Sequence, residues 1–113
     1  VAKRISELPP QYLVALGPIL SLAESAVDTI ISPESIYISR FGEEDHSVHF
    51  HIYPRTSGVT REYLKIYPEQ EELIHGPALF DWARSYYRCT KQEALNSTSG
   101  VIGRFREYMD TRR

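Results

Sequence analysis

From Pro10 to Ile31 the apolar residues fall three and four positions apart, the longest periodic pattern in the chain. Leu13, Leu16, Leu20, Ala23, Val27 and Ile30 trace one stripe of a 3.6-residue period, which demands an amphipathic helix with a partner for that stripe. Pro10 suits a first helical turn, where its missing N–H is not needed. Gly17-Pro18 falls in mid-pattern, and because the register continues across it the expectation is one bent helix rather than two. Ser32-Pro33 ends it.

The period then changes from 3.6 to 2. Ile36 and Ile38 alternate with Tyr37 and Ser39 over Ser35 to Phe41, and a short acidic connection, Gly42-Glu43-Glu44-Asp45, reverses the chain. From Ser47 to Tyr53 the alternation is strict: Val48, Phe50 and Ile52 point one way, Ser47, His49, His51 and Tyr53 the other. Pro54 should stop this strand, since it has no N–H for a ladder. The expectation is a hairpin of adjacent strands whose apolar side, Val48, Phe50 and Ile52, packs on the Pro10–Ile31 helix. Two strands alone make a marginal sheet. At least two more are expected from residues preceding Val1 or from another chain.

Further along, Arg55-Thr56-Ser57-Gly58 reads as a polar loop and 59–67 as irregular or weakly helical. Residues 69–88 read as helix in two pieces broken at Gly76-Pro77, with Leu79, Phe80, Ala83 and Tyr87 as the buried stripe of the second. Asn96-Ser97-Thr98-Ser99-Gly100 reads as a linker before a short terminal helix carrying Val101, Phe105 and Tyr108. This divides the chain into a domain over 1–91 and an extension over 92–113. At 113 residues one domain fits and two do not.

Composition narrows the setting. Net charge is −2, with no global basic field, which argues against nucleic acid as a partner. The single cysteine, Cys89, permits no intrachain disulfide and fits a reducing compartment. No unbroken apolar run approaches the roughly 20 residues that span a bilayer. No signal peptide is visible at Val1-Ala2-Lys3-Arg4. A cytoplasmic protein without membrane contact is therefore expected.

The chemistry-bearing feature is His49-Phe50-His51, two imidazoles on one strand face, about 6–7 Å apart along the backbone. Imidazole serves as nucleophile, base or acid near neutral pH, and neutral ring nitrogens also ligate zinc. Spacing alone leaves three readings open: solvent-facing polar residues, metal ligands, or a catalytic pair. A metal shell of His46, His49 and His51 is disfavoured, because a regular strand sends His46 to the opposite face and no carboxylate or thiol lies in phase.

The longer string His46-Ser47-Val48-His49-Phe50-His51-Ile52-Tyr53-Pro54-Arg55 resembles the signature of the histidine-triad superfamily, and the helix, strand, turn and His strand follow that family's order. Arg40-Phe41-Gly42 before it is similar to a divergent bacterial branch of diadenosine-polyphosphate hydrolases, and Gly76-Pro77-Ala78-Leu79-Phe80-Asp81-Trp82 is similar to bacterial members. The resemblance covers Val1 to Arg55 in order and extends more loosely to Arg88. It implies an α+β, histidine-triad-like (HIT-like) antiparallel sheet with a long helix on one face, the family's N-terminal strands and much of its nucleoside pocket lying before Val1. It also implies a nucleotide hydrolase or transferase, often a homodimer, working without metal or other cofactor through a nucleotidyl-histidine intermediate. Aligned on Pro54-Arg55, His49 takes the nucleophile's place and His51 the third histidine's. Ser47 stands where the first histidine would be, and Arg55 could meet a distal phosphate. The missing first histidine and the acidic Glu43-Glu44-Asp45 depart from the pattern and favour, as the alternative, a nucleotide-binding module with little turnover. His75 reads as a helix-boundary residue and Cys89 as a structural thiol.

Overall fold

The computed structural model describes residues 2–40, 47–88 and 91–112. A 3₁₀ turn at Ile5–Glu7 leads into α1 (Pro10–Ile31), β1 (Ser35–Ser39), β2 (His51–Arg55), α2 (Ser57–Ile66), a second 3₁₀ turn at Pro68–Gln70, α3 (Gly76–Tyr86) and α4 (Lys91–Thr111). The architecture is α+β, with a two-stranded antiparallel sheet among the described residues.

α1 has the bounds its periodicity implies and carries Pro18 inside a continuous helix. Ser32 closes it in the left-handed region at φ 51°, ψ 56°, its N–H donating to the Asp28 carbonyl. Serine is tolerated there less well than glycine, and Pro33 then prevents any continuation. The C-terminal half of α1 buries Ala26 and Val27. Its N-terminal half leaves Tyr12, Leu13, Val14 and Ile19 exposed. By length and composition α1 is apolar enough to cross a membrane, contrary to the expectation from unbroken runs. Its charged residues are only Glu24 and Asp28, so the segment stays apolar on average; core helices and leader segments share that property.

The hairpin forms, shifted along its length from the expected bounds. The register pairs Ser35 with Arg55, Tyr37 with Tyr53 and Ser39 with His51. The ladder runs through Pro54, opposite Ile36, rather than stopping there. Every strand of a two-stranded sheet is an edge, the one place where a missing N–H is tolerated. At the other end residues 47–50 leave the ladder. The Val48 N–H donates to the Ala2 carbonyl at 3.0 Å, and Arg40 Nη2 donates to the Lys3 carbonyl. The amino-terminal segment thus takes the Val48 N–H, one backbone donor that a longer hairpin could have used, and also accepts from the Arg40 side chain. Val48 and Phe50 are half-buried there, and the acidic connection lies outside the described residues.

Tyr37 and Tyr53 stack side by side on the sheet face that also carries His51, ring centroids 6.5 Å apart. α3 covers this end of the face. Phe80 meets Tyr53 edge-on at 4.3 Å, and Gly76 lies so close that an added Cβ would come within 3.0 Å of the Tyr37 ring. α1 also contacts both strands. By alternation the face of Ile36, Ile38, Ile52 and Pro54 is the one left for it.

Three sequence expectations give way here. The polar stretch 55–58 is not a loop: Thr56 caps α2, its Oγ1 accepting from Val59 N–H, and Ser57-Gly58 form the first turn. Gly76-Pro77 do not break a helix but open α3, with His75 as the cap whose Nδ1 accepts from Ala78 N–H at 3.2 Å. His75 is therefore the helix-boundary residue the sequence implied. Asn96–Gly100 lie inside the 21-residue α4 rather than in a linker. Their low helix propensity is offset by packing of α4 along α1, where Ser25 Oγ and Tyr108 OH lie 2.6 Å apart and Arg104 donates to the Ile30 carbonyl in the last turn of α1. Of the expected stripe on α3, Leu79 and Ala83 are buried and Tyr87, just past the helix, is about half exposed. Tyr63 of α2 completes this small core, its hydroxyl donating to Gln70 Oε1 and its ring edge-on to Trp82.

Candidate active site

The two histidines lie where β2 begins. His51 is the first residue of the strand and is exposed; His49, just before it, is half-buried. Their rings meet edge-on, centroids 5.1 Å apart and planes at 73°. The histidine face is thus a two-imidazole cluster, not two independent surface residues.

His49 is fixed from within its own segment. Its Nδ1 lies 2.8 Å from the backbone carbonyl oxygen of Ser47. A carbonyl only accepts, so Nδ1 carries the hydrogen, and in the neutral ring the lone pair is on Nε2. The bond lies within the segment that left the ladder, where Val48 N–H is held by Ala2. Ser47 therefore joins the site through its main chain. The side-chain role expected from its position in the motif is a separate matter.

Arg55 is not brought to the histidines. It is four residues beyond His51, about 13 Å along an extended strand. Its Nη1 donates to Tyr37 OH at 3.0 Å, and its Nε stands 3.3 Å from Glu34 Oε2 without good hydrogen-bond alignment. Glu34 Oε2 also accepts from Thr60 Oγ1 at 2.8 Å. Arg55 thus ties β2 to the chain entering β1 and to α2. Glu34, Tyr37 and Ser39 are the residues that sequence reading passed over. Only the strand register could have found them, and an eleven-residue connection between Ser39 and His51 does not fix a register in advance.

Beyond His51 the face becomes aromatic. Burial raises the Tyr53 phenol above its usual range, with the neighbouring Tyr87 and Tyr37 phenols adding to the effect. Tyr53 therefore stays protonated and neutral at physiological pH. Among the described residues no three histidine, cysteine, aspartate or glutamate side chains gather as a metal shell. His46 and Cys89 lie outside the described residues, so the expectations about them do too. The arrangement can present one imidazole nitrogen of fixed tautomer, with a second, solvent-accessible imidazole beside it. No family model, curated protein or solved structure matches this chain.

Proposed function

We propose that the chain is the histidine-bearing part of a HIT-like nucleotide hydrolase or nucleotidyl transferase. What supports the fold reading is the order of long helix, strand and His strand, together with the string His49-Phe50-His51-Ile52-Tyr53-Pro54-Arg55. What supports the chemistry is one observation above the rest: His49 Nδ1 is bonded to the Ser47 carbonyl, leaving Nε2 as the free nitrogen beside a second imidazole.

In this reading His49 Nε2 attacks the α-phosphorus of a nucleoside phosphoanhydride or phosphoramidate. The bond from phosphorus to the bridging oxygen or nitrogen breaks, and its electron pair leaves with the departing group, which takes up a proton. His51 steadies the charge gathering on the phosphoryl oxygens or the leaving group. The nucleotidyl-imidazolium keeps its Nδ1–H on the Ser47 carbonyl, whose dipole favours the new positive charge. Water then attacks phosphorus and gives up a proton to solvent, the N–P bond breaks, its pair returns to Nε2 and a nucleoside monophosphate leaves. One difficult displacement becomes two easier ones.

The test is incubation with an adenosine dinucleoside polyphosphate and an adenosine phosphoramidate, monitoring turnover and an acid-labile nucleotidyl adduct. His49→Ala should abolish both. Full activity in His49→Ala removes the nucleophile assignment. A second reading, a nucleotide-binding module without efficient turnover, is favoured by two features: serine stands in the first histidine's place, and Arg55 is already engaged by Glu34 and Tyr37. Wild-type protein that binds nucleotide but turns over neither substrate would establish that reading instead.

A further inference from the structure

Ser39 is the direct cross-strand partner of His51. Residues paired this way share a sheet face with Cβ atoms about 4.5–5.5 Å apart. The Ser39 hydroxyl therefore stands beside the exposed imidazole, on the side of the patch that the motif string does not contain. It is half-buried, and among the described residues its side chain has no hydrogen-bond partner. The other neighbours on this face are committed. Tyr37 OH accepts from Arg55, Tyr53 is packed by Phe80, and His49 is held by Ser47. Ser39 contributes the remaining small donor between the imidazole pair and the stacked tyrosines, which wall off the patch beyond it.

We propose that Ser39 is a further substrate-contacting residue, whose hydroxyl donates to a non-bridging oxygen of the phosphoryl group that His49 attacks. This rests on the nucleotidyl-transfer reading of the same site. A phosphoryl group on Nε2 of His49 lies beside His51, whose ring is 5.1 Å from that of His49, and therefore within reach of the residue paired with His51. A hydroxyl there donates to an anionic oxygen, a charge-assisted bond of about 2.5–2.7 Å that strengthens as charge develops. A small hydroxyl residue also suits the position sterically: a long or aromatic side chain opposite His51 would fill the space the phosphoryl group needs.

The experiment uses the full chain and two readouts: calorimetric binding of adenosine monophosphate, and turnover of the two diastereomers of an adenosine α-phosphorothioate dinucleotide. Ser39→Ala should lower kcat/KM by roughly 10- to 100-fold, below the range for a fully enclosed oxyanion donor because this face is partly solvated. It should also reduce the discrimination between diastereomers, because one of the two oxygens loses its donor. Ser39→Thr, which keeps the hydroxyl, should restore most of both. Ser39→Ala equal to wild type in binding, rate and diastereomer preference overturns the role of Ser39 and leaves the function standing. Wild-type protein that neither binds adenosine monophosphate nor turns over either diastereomer removes the function and Ser39's role together, before any variant is made.

Discussion

His49 and Ser47 are joined by a hydrogen bond from an imidazole nitrogen to a main-chain carbonyl two residues earlier, 2.8 Å long, which sets the ring's tautomer. The donor is Nδ1–H, so a neutral His49 carries its lone pair on Nε2. Nitrogen-15 NMR of the imidazoles should find His49 as the Nδ1–H form across the range where it is neutral. A dominant Nε2–H form would remove the structural basis for a nucleophilic Nε2. His75 supplies an internal contrast: its Nδ1 accepts from Ala78 N–H, so the same spectrum should show it as the Nε2–H form.

Arg55 should behave first as a structural residue. Arg55→Ala leaves Tyr37 OH and Glu34 without their shared partner and should cost about 1–2 kcal/mol in urea unfolding. Glu34→Gln should cost about 1 kcal/mol or less, since that carboxylate is more exposed. The double variant should fall short of the sum by about 0.5 kcal/mol or more, because both changes break one network. Strict additivity would mean that the pair contributes nothing as a pair.

Gly76 lies against Tyr37, with no room for a side chain unless that ring moves. An alanine Cβ there would meet Tyr37 Cζ at 3.0 Å, and the ring is held by Arg55 and stacked beside Tyr53. Gly76→Ala should therefore destabilise by about 1 kcal/mol or more despite alanine's better helix propensity. Tyr37→Ala should erase most of that penalty in a double-mutant cycle. Gly76→Ala that raises the melting temperature would show that α3 is free to shift. For comparison, Leu79, fully buried at 0% exposure, should cost about 2–5 kcal/mol as Leu79→Ala.

Tyr53 gives a signature at alkaline pH. Its phenol titrates above the ordinary value of 10.0, chiefly through burial. The native state thus holds that proton more tightly than the unfolded chain does. Stability from this group is fully present below pH 10.0 and is lost as pH rises through the folded value. Denaturation midpoints should fall on going above that pH, and Tyr53→Phe should flatten that part of the profile. An unchanged slope in Tyr53→Phe would assign the loss to other groups.

Local pattern alone determined several elements of this protein. The 3–4 spacing and the terminal Ser32-Pro33 set α1, because helix period and stop signals act over neighbouring residues. Alternation put His49 and His51 together, because side-chain direction in an extended chain repeats every two residues. His75 read as a helix boundary for the same local reason. Tertiary structure decided the rest. Ala2 accepts the Val48 N–H where residues 47–50 leave the ladder, beside the bond from His49 to the Ser47 carbonyl. The register placed Ser39 opposite His51 and Tyr37 opposite Tyr53. Packing on α1 carried α4 through a serine- and threonine-rich stretch with poor intrinsic helicity. Each of these joins residues far apart in the chain, and local propensity carries no information about which distant partner satisfies a backbone group or covers an apolar face.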